Sequence, residues 1–309
     1  MTNRMLAVAL LLLAYNSLAK ERMPNQAQPL APGQHYAQVN AVSICYNVAG
    51  SGPLLIIQAP GWGIGSSYLL NGLAPLAQHH TVLVYDTRGS GQSSRPTDAK
   101  RMSTADMVDD LEQLRKFWGL DSMTLLGHSH GGAIALSYAA LYPQRVRRLV
   151  LVDSSIQGYD SRSDIKREID ARRNDKRFAE AIAESGKNSP PQTDAEFAAG
   201  LGRVMPLYFY DPANVPRFQK TMPGLPSLWA MHAYSAAEND KEIAAMGRVR
   251  ARTLILVGRS DFICSPPIAE RIQAGVRKSK LVVIEKSGHF PWIEAPEEFF
   301  PQVTRFVGK

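Results

Sequence analysis

The chain has 309 residues, of which 45% are apolar and 20% are charged, so it has enough apolar material for the core of one large globular domain or of one and a half. It contains no run of 18 or more apolar residues, which excludes a multi-pass membrane protein. The formal net charge of +7 is scattered among acidic residues without an aromatic-interleaved basic stripe, so nucleic-acid binding is not expected.

The first 19 residues have the layout of a secretory signal. Arg4 precedes a short apolar run, Leu6 to Ala14, and Ser17 and Ala19 place small residues where a cleavage site after Ala19 needs them. The run is too short to span a bilayer comfortably. Secretion is therefore predicted; the alternatives are an uncleaved anchoring helix, or an extension from a wrongly chosen start codon on a cytoplasmic protein. Residues 20–34 are polar and proline-rich and are predicted to be a linker.

Strand signatures then alternate with helical ones. Two alternating runs in residues 36–50 flank Asn40-Ala41 and predict a hairpin of edge strands. Short apolar runs predict buried strands at residues 53–60, 81–86, 123–127, 146–153, 253–258 and 280–285. Amphipathic or alanine-rich stretches predict helices at residues 104–118, 131–142 and 296–306. This alternation predicts an α/β fold with a mostly parallel sheet flanked by helices, its core formed by residues 35–154 and 251–309.

Residues 155–250 break the alternation, because they contain no buried-strand run and are rich in Arg, Asp, Glu and Ala. We expect a helical lid, inserted after the sixth strand and lying over the carboxyl ends of the sheet. Its proline-rich and aromatic part, Met205 to Trp229, is suited to an apolar pocket wall, and Tyr208 and Trp229 are candidate pocket residues.

The stretch Gly127-His128-Ser129-His130-Gly131 has the form G-x-S-x-G between a predicted strand and a predicted helix. A serine at such a corner sits in a strained turn, where side chains on the flanking positions would collide with backbone, and glycine at Gly127 and Gly131 removes that collision. The turn would expose the hydroxyl at the carboxyl edge of the sheet beside a helix N-terminus. Ser129 is therefore a candidate nucleophile.

A serine hydroxyl needs a base to accept its proton, and the base needs a carboxylate to fix its tautomer. His289 follows the last predicted strand and is the candidate base. Asp261 follows the preceding strand and is the candidate acid, although Asp153 also ends a strand and stays open as an alternative. The order Ser129, Asp261, His289 is that of the α/β-hydrolase fold.

The sequence resembles the α/β-hydrolase superfamily from about Gln34 onward, and most closely its lid-bearing esterases and proline-iminopeptidase-like members. The stretches YDTRGSGQSSRP, LLGHSHGG and GHFPWIEAPEEF carry this resemblance. It implies an oxyanion hole made by the backbone N–H groups of Trp62 and His130, and Trp62 is also a candidate pocket residue. Many members have His-Gly after the third strand, where this chain has Pro60-Gly61-Trp62, and the Gly-Gly-Pro-Gly stretch of true proline iminopeptidases is absent.

These features predict a serine hydrolase that cleaves a carboxylic ester, lactone or related acyl bond of a small hydrophobic substrate through an acyl-enzyme. No cofactor is required, and no metal site is expected, since two distant cysteines and no H-E-x-x-H spacing supply no ligand set. An aminopeptidase is an alternative, with a substrate ammonium held by lid acids at Glu238, Asp240 or Glu242. A carbon–carbon bond hydrolase, an acyltransferase and a non-catalytic ligand-binding protein are the others.

Overall fold

The computed structural model describes residues 30–187, 189–234 and 245–308, and residues 32–308 belong to one compact unit. The predicted signal segment, residues 1–19, and residues 20–29 of the predicted linker lie outside the described part of the chain. Residues 33 and 34, which the sequence analysis assigned to the linker, already form the start of the first strand.

The strands form one eight-stranded sheet in the spatial order β1-β2-β4-β3-β5-β6-β7-β8. Only β1 with β2 and β2 with β4 pair antiparallel; every other neighbouring pair is parallel, which confirms the mostly parallel α/β sheet. The strand bounds are β1 Gly33–Val39, β2 Val42–Ala49, β3 Leu54–Gln58, β4 Thr81–Tyr85, β5 Met123–His128, β6 Val146–Val152, β7 Arg252–Gly258 and β8 Ser279–Ile284.

The antiparallel edge comes from the hairpin predicted around Asn40-Ala41. Val39 pairs with Val42, so the turn has two central residues, and their φ angles of 47° and 60° are both positive. A two-residue turn of this kind matches the right-handed twist of the strands that it joins. The hairpin adds its two strands beyond β4, away from the parallel half of the sheet.

Helices connect the parallel strands and cover the sheet. A capping box between Ser103 and Asp106 starts the helix after β4, and the helix after β5 ends just before Pro143, as the sequence predicts. The described helices are α1 Ser67–Gly72, α2 Thr104–Phe117, α3 His130–Leu141, α4 Arg162–Arg172, α5 Ala179–Ser185, α6 Asp194–Val204, α7 Val215–Gln219, α8 Leu228–Ala233, α9 Pro266–Gly275, α10 Pro291–Glu294 and α11 Pro296–Val307. None of the helices in the described residues is long and apolar enough to span a membrane.

The described residues between β6 and β7 form α4 to α8 and four short 3₁₀ helices, and they form no strand. We call residues 155–250 the insertion. Residues 188 and 235–244 of this insertion lie outside the described residues, and with them Glu238, Asp240 and Glu242.

A parallel sheet brings the carboxyl ends of its strands to one edge, where open α/β sheets bind their ligands. The residues that follow the parallel strands are therefore brought together although they are far apart in sequence. At this edge lie the segments that follow β3, β5, β6, β7 and β8, with Trp62, Ser129, Asp153, Asp261 and His289.

Candidate active site

Ser129 occupies a strained turn between β5 and α3. Its backbone angles, φ 57° and ψ −127°, are rarely adopted by a residue other than glycine. A Cβ added to Gly127 would lie 2.4 Å from the carbonyl oxygen of Gly131, and one added to Gly131 would lie 2.2 Å from that of Gln58. Both positions therefore require glycine, as the sequence predicts.

Backbone hydrogen bonds hold this turn in place. The Ser129 amide donates to the Val152 carbonyl at 3.1 Å, and the Ser129 carbonyl accepts from the amides of Gly132 at 2.9 Å and Ser155 at 3.1 Å. The strain is thus imposed by β6 on one side and by the first residues of the insertion on the other. The serine side chain is presented at the N-terminus of α3, where helix amides have no partner within the helix.

His289 and Asp261 form a hydrogen-bonded pair. His289 Nδ1 lies 2.7 Å from Asp261 Oδ2, and both side chains are buried. The other carboxylate oxygen of Asp261 accepts the amides of Ile263 at 3.0 Å and Cys264 at 3.1 Å. Burial opposes ionisation of Asp261, but the adjacent His289 and these amides lower the pKa of its carboxyl below the ordinary value. The carboxylate therefore takes the Nδ1 proton of His289, which leaves Nε2 as the nitrogen with a free lone pair.

The backbone of His289 is held from two sides. Its amide donates to the Tyr208 carbonyl at 2.7 Å, and its carbonyl lies 2.9 Å from His128 Nε2. A carbonyl only accepts, so His128 carries its proton on Nε2, and its Nδ1 accepts from the Tyr68 hydroxyl at 2.7 Å. Burial and the nearby charge of His289 hold the pKa of His128 well below the ordinary value. Local sequence patterns do not predict this role of the His128 side chain, because its partners are distant in sequence.

The loop after β3 places an unpaired amide between two amides that are hydrogen-bonded. Gly61 N–H donates to His130 Nδ1 at 3.0 Å, and Gly63 N–H donates to Ser90 Oγ at 3.1 Å. The Gly63 carbonyl in turn accepts the Ser227 amide of the insertion at 2.8 Å. Between them, the Trp62 amide has no hydrogen-bond partner among the described residues, and the same is true of the His130 amide at the start of α3. Two N–H groups are thus available on the elements that flank Ser129.

Asp153, the alternative acid, follows β6 but does not contact His289. One of its carboxyl oxygens accepts the Gly258 amide at 2.8 Å. The structure thus pairs the His289 ring with Asp261, whereas the Asp153 carboxyl group binds a backbone amide.

A cavity of about 440 Å³ lies over these groups. Its walls are mainly apolar and come from the sheet edge and from the insertion, and they include Ser129, His289, Trp62 and Tyr208. No Asp, Glu, Lys or Arg is among the described residues that line it. Trp229, expected in the pocket, is not part of this wall, because its ring packs instead under the Arg95 guanidinium at 4.9 Å. The expectation for Trp229 was wrong: an aromatic residue in the insertion can equally cover the outer loops.

One group of side chains has donor atoms that could approach a cation. Asp261, Cys264 and His289 each place one such atom within 4.8 Å of the others. Asp261 and His289 already bond to each other, and burial raises the pKa of the Cys264 thiol well above its ordinary value. A neutral thiol beside a closed His–Asp pair is a poor donor set, since zinc takes thiolate and free imidazole.

Comparison with known proteins agrees with this fold. A family model described as alpha/beta hydrolase fold matches residues 53–296. A proline iminopeptidase of Heyndrickxia coagulans is 29% identical over 275 residues, which cover 84% of this chain and 91% of that protein. A hydrolase from Pseudomonas aeruginosa PA01 has a similar fold, with a TM-score of 0.66 and 23% identity over 90% of this chain and 100% of its own. So has the enol-lactonase from Burkholderia xenovorans LB400, with a TM-score of 0.65 and 19% identity over 89% and 100% of the two chains.

Proposed function

This chain belongs to the alpha/beta hydrolase fold family, and from that premise we propose that it is a serine hydrolase that cleaves a carboxylic ester or lactone through a covalent acyl-enzyme. One observation carries the proposal: His289, which is hydrogen-bonded to the buried Asp261 at 2.7 Å, lines the same cavity as Ser129. A base oriented by a carboxylate, beside a serine in a strained turn, is the arrangement that activates a hydroxyl.

In the first half of the reaction, Ser129 Oγ attacks the acyl carbon while its proton passes to His289 Nε2. The imidazolium formed is stabilised by the Asp261 carboxylate at Nδ1. Collapse of the tetrahedral intermediate breaks the bond to the leaving group, which takes the proton from Nε2. A water molecule then attacks the acyl-enzyme by the same route and frees the carboxylic acid and Ser129.

The negative charge on the carbonyl oxygen of each intermediate needs hydrogen-bond donors. The unpaired amides of Trp62 and His130 are the donors that we propose. The amides of Gly61 and Gly63 are both occupied, so the loop is held on each side of the one amide that stays available. Preorganised donors of this kind cost no rearrangement during the reaction, and losing one typically lowers the rate by about 10²–10³-fold.

The cavity supports a neutral, largely apolar acyl substrate. Its described lining contains no Asp, Glu, Lys or Arg side chain. A free carboxylate or ammonium of a substrate would therefore lose its hydration without a compensating partner from these residues. We propose that the insertion, whose residues form part of the cavity wall, acts as the lid.

An aminopeptidase is the second candidate, because the iminopeptidase of Heyndrickxia coagulans is 29% identical over most of both chains. Such an enzyme must bind the substrate's ammonium group, for which a carboxylate is the usual partner. Within the described residues the cavity offers none, so the ester or lactone is the preferred proposal.

The test is covalent labelling of purified protein with a fluorophosphonate, in which the attacking serine displaces fluoride. We expect one adduct on the wild type and none on Ser129→Ala. Ser161→Ala is the matched control, since Ser161 lines the same cavity and should leave labelling intact. Persistent labelling of Ser129→Ala, or none on the wild type, would contradict the proposed nucleophile.

The substrate class is tested by initial rates on three substrates: a short-chain aryl ester, an aliphatic lactone and a proline arylamide. Turnover of the ester or lactone with a kcat/KM at least tenfold above that of the arylamide supports the proposal. The reverse order would establish the aminopeptidase. Saturable binding of the ester with no turnover would make the protein a non-catalytic ligand-binding member of the family.

A further inference from the structure

Asp153 is a buried carboxyl group that has no role in the reaction proposed above. It follows β6 with a φ of 44°, a positive value that is uncommon for a residue with a side chain, and it is fully buried. Its amide donates to the Leu256 carbonyl at 2.8 Å, and its Oδ1 accepts the Gly258 amide at 2.8 Å. The backbone is thus held in an unfavourable conformation that directs the carboxyl group behind the His289–Asp261 pair.

The same glycine connects the two acids. Gly258 donates its N–H to Asp153 Oδ1, and its carbonyl accepts the Asp261 amide at 3.1 Å. The second oxygen of Asp153, Oδ2, is buried and accepts no hydrogen bond from the described residues. The two carboxyl groups are close enough for the charge of Asp261 to act on Asp153.

Two adjacent buried carboxylates cannot both be ionised at low cost, because like charges repel strongly in the low-dielectric interior of a protein. Asp261 has the imidazole and two amides to stabilise its charge, whereas Asp153 has a single amide. The proton therefore belongs on Asp153. Burial, and then the charge of Asp261, raise the pKa of Asp153 well above the ordinary value, in agreement with this assignment.

We propose that Asp153 is a positioning residue: a neutral carboxylic acid whose Oδ2–H donates to the Asp261 carboxylate and holds it in line with His289. This inference rests on the proposed function and adds to it a carboxylic acid that positions Asp261. This hydrogen bond gives the buried Oδ2 of Asp153 a partner that it otherwise lacks. It also spreads part of the charge of Asp261, which limits how strongly that carboxylate attracts a positive charge on His289 during the reaction.

The titratable groups that face Asp153 are Asp261, His289, Glu294 and Cys264. Of these, Glu294 is engaged by three backbone amides, and the Cys264 thiol is kept neutral by burial. Among these groups, Asp261 is the one whose charge acts most strongly on Asp153.

The first variant is Asp153→Asn. Its amide can donate to Asp261 and accept from Gly258, and asparagine tolerates a positive φ. We expect kcat/KM within about threefold of the wild type, with little change in the pH profile, because the variant keeps the donor and the absence of charge. A loss of about a hundredfold or more in a folded variant would mean that a negative charge is required at this position, and would overturn the proposal.

The second variant is Asp153→Gly, which removes the donor without straining the backbone at this φ. We expect kcat to fall by about tenfold and the acidic limb of the kcat/KM profile to move upward by about one pH unit. The reason is that the Asp261 carboxylate, once it no longer accepts a hydrogen bond from Asp153, stabilises the His289 imidazolium more strongly. A merely structural role would not move the limb. Wild-type kcat and an unmoved limb would overturn the proposal.

A third measurement does not depend on turnover. In protein labelled with ¹³C-aspartate, the infrared difference between wild type and Asp153→Asn at neutral pH should show the carbonyl stretch of one protonated carboxylic acid. A carboxylate band in its place would overturn the assignment, whatever the enzyme hydrolyses. Presence of the acid band together with no Ser129 labelling would instead contradict the proposed function alone.

Discussion

At the scale of single residues, His130 combines a backbone and a side-chain task. Its Nδ1 accepts the Gly61 amide proton, so its own proton lies on Nε2, 3.1 Å from Thr104 Oγ1. Burial lowers the pKa of His130 to about 4, and the ring is therefore neutral near pH 7. The sequence predicts a use for the His130 N–H, but the side chain also holds the loop that carries the Trp62 amide.

We predict that His130→Leu lowers kcat by about tenfold to a hundredfold on an aryl ester, because the Gly61 amide loses its acceptor and the Trp62 amide is no longer held in place. His130→Asn, whose Oδ1 can approach the position of Nδ1, should lose less. Both kcat and KM are measured for the two variants. Equal activity of His130→Leu and His130→Asn would contradict a role for the acceptor.

At the scale of elements, the end of α10 connects the insertion to the loop that carries His289. The carboxylate of Glu294 accepts the amides of Tyr210 at 3.2 Å and Asp211 at 2.9 Å in the insertion. It also accepts the amide of Gly288, next to His289, at 2.6 Å. One side chain thus satisfies three backbone donors from two segments that are far apart in sequence.

Replacing Glu294 by Gln is expected to lower the free energy of unfolding by about 1–3 kcal/mol, because a carboxamide keeps one acceptor oxygen and places an NH₂ group against a backbone amide. Denaturant unfolding measures the change. Glu285→Gln is the matched control: Glu285 pairs with Arg259 on the surface, and such pairs contribute about 0–1 kcal/mol. Equal effects of the two substitutions would show that Glu294 does not connect these elements.

At the scale of the whole molecule, the burial that assembles the site also makes the protein sensitive to acid. His128 and His130 are both buried and both have pKa values below the ordinary 6.5. As the pH falls below 6.5, the unfolded chain binds protons at these residues and the folded chain does not, so folding stability falls. The loss from His130 spans the window from about 6.5 down to about 4. Asp153 acts in the opposite direction, since its proton is bound in the folded state.

A difference between variants isolates the His130 contribution. Between pH 7 and pH 5 we expect the wild type to lose about 2 kcal/mol more unfolding free energy than His130→Asn, because asparagine has no proton to bind in the unfolded chain. Denaturant midpoints at several pH values give both slopes. Parallel curves would show that His130 is solvated or charged in the folded protein.

Much of the fold and part of the site follow from local sequence patterns. The two alternating runs around Asn40-Ala41, the short apolar strands and the glycines around Ser129 are patterns of residues a few positions apart. The hairpin, the mostly parallel sheet and the strained turn at Ser129 were therefore predictable. The chain order of Ser129, Asp261 and His289 carried the remaining information. The sheet then accounts for their proximity, since it aligns the carboxyl ends of its strands.

The sequence by itself thus determined the class of fold and which residues could react, because propensity, turn chemistry and hydrophobic period act over short distances along the chain. Only tertiary structure decided the strand order, the packing of Trp229 against Arg95, the hydrogen bonds of His128 and His130, and the close pairing of Asp261 with His289. Each depends on groups many residues apart, and on a burial that sets which proton is held where.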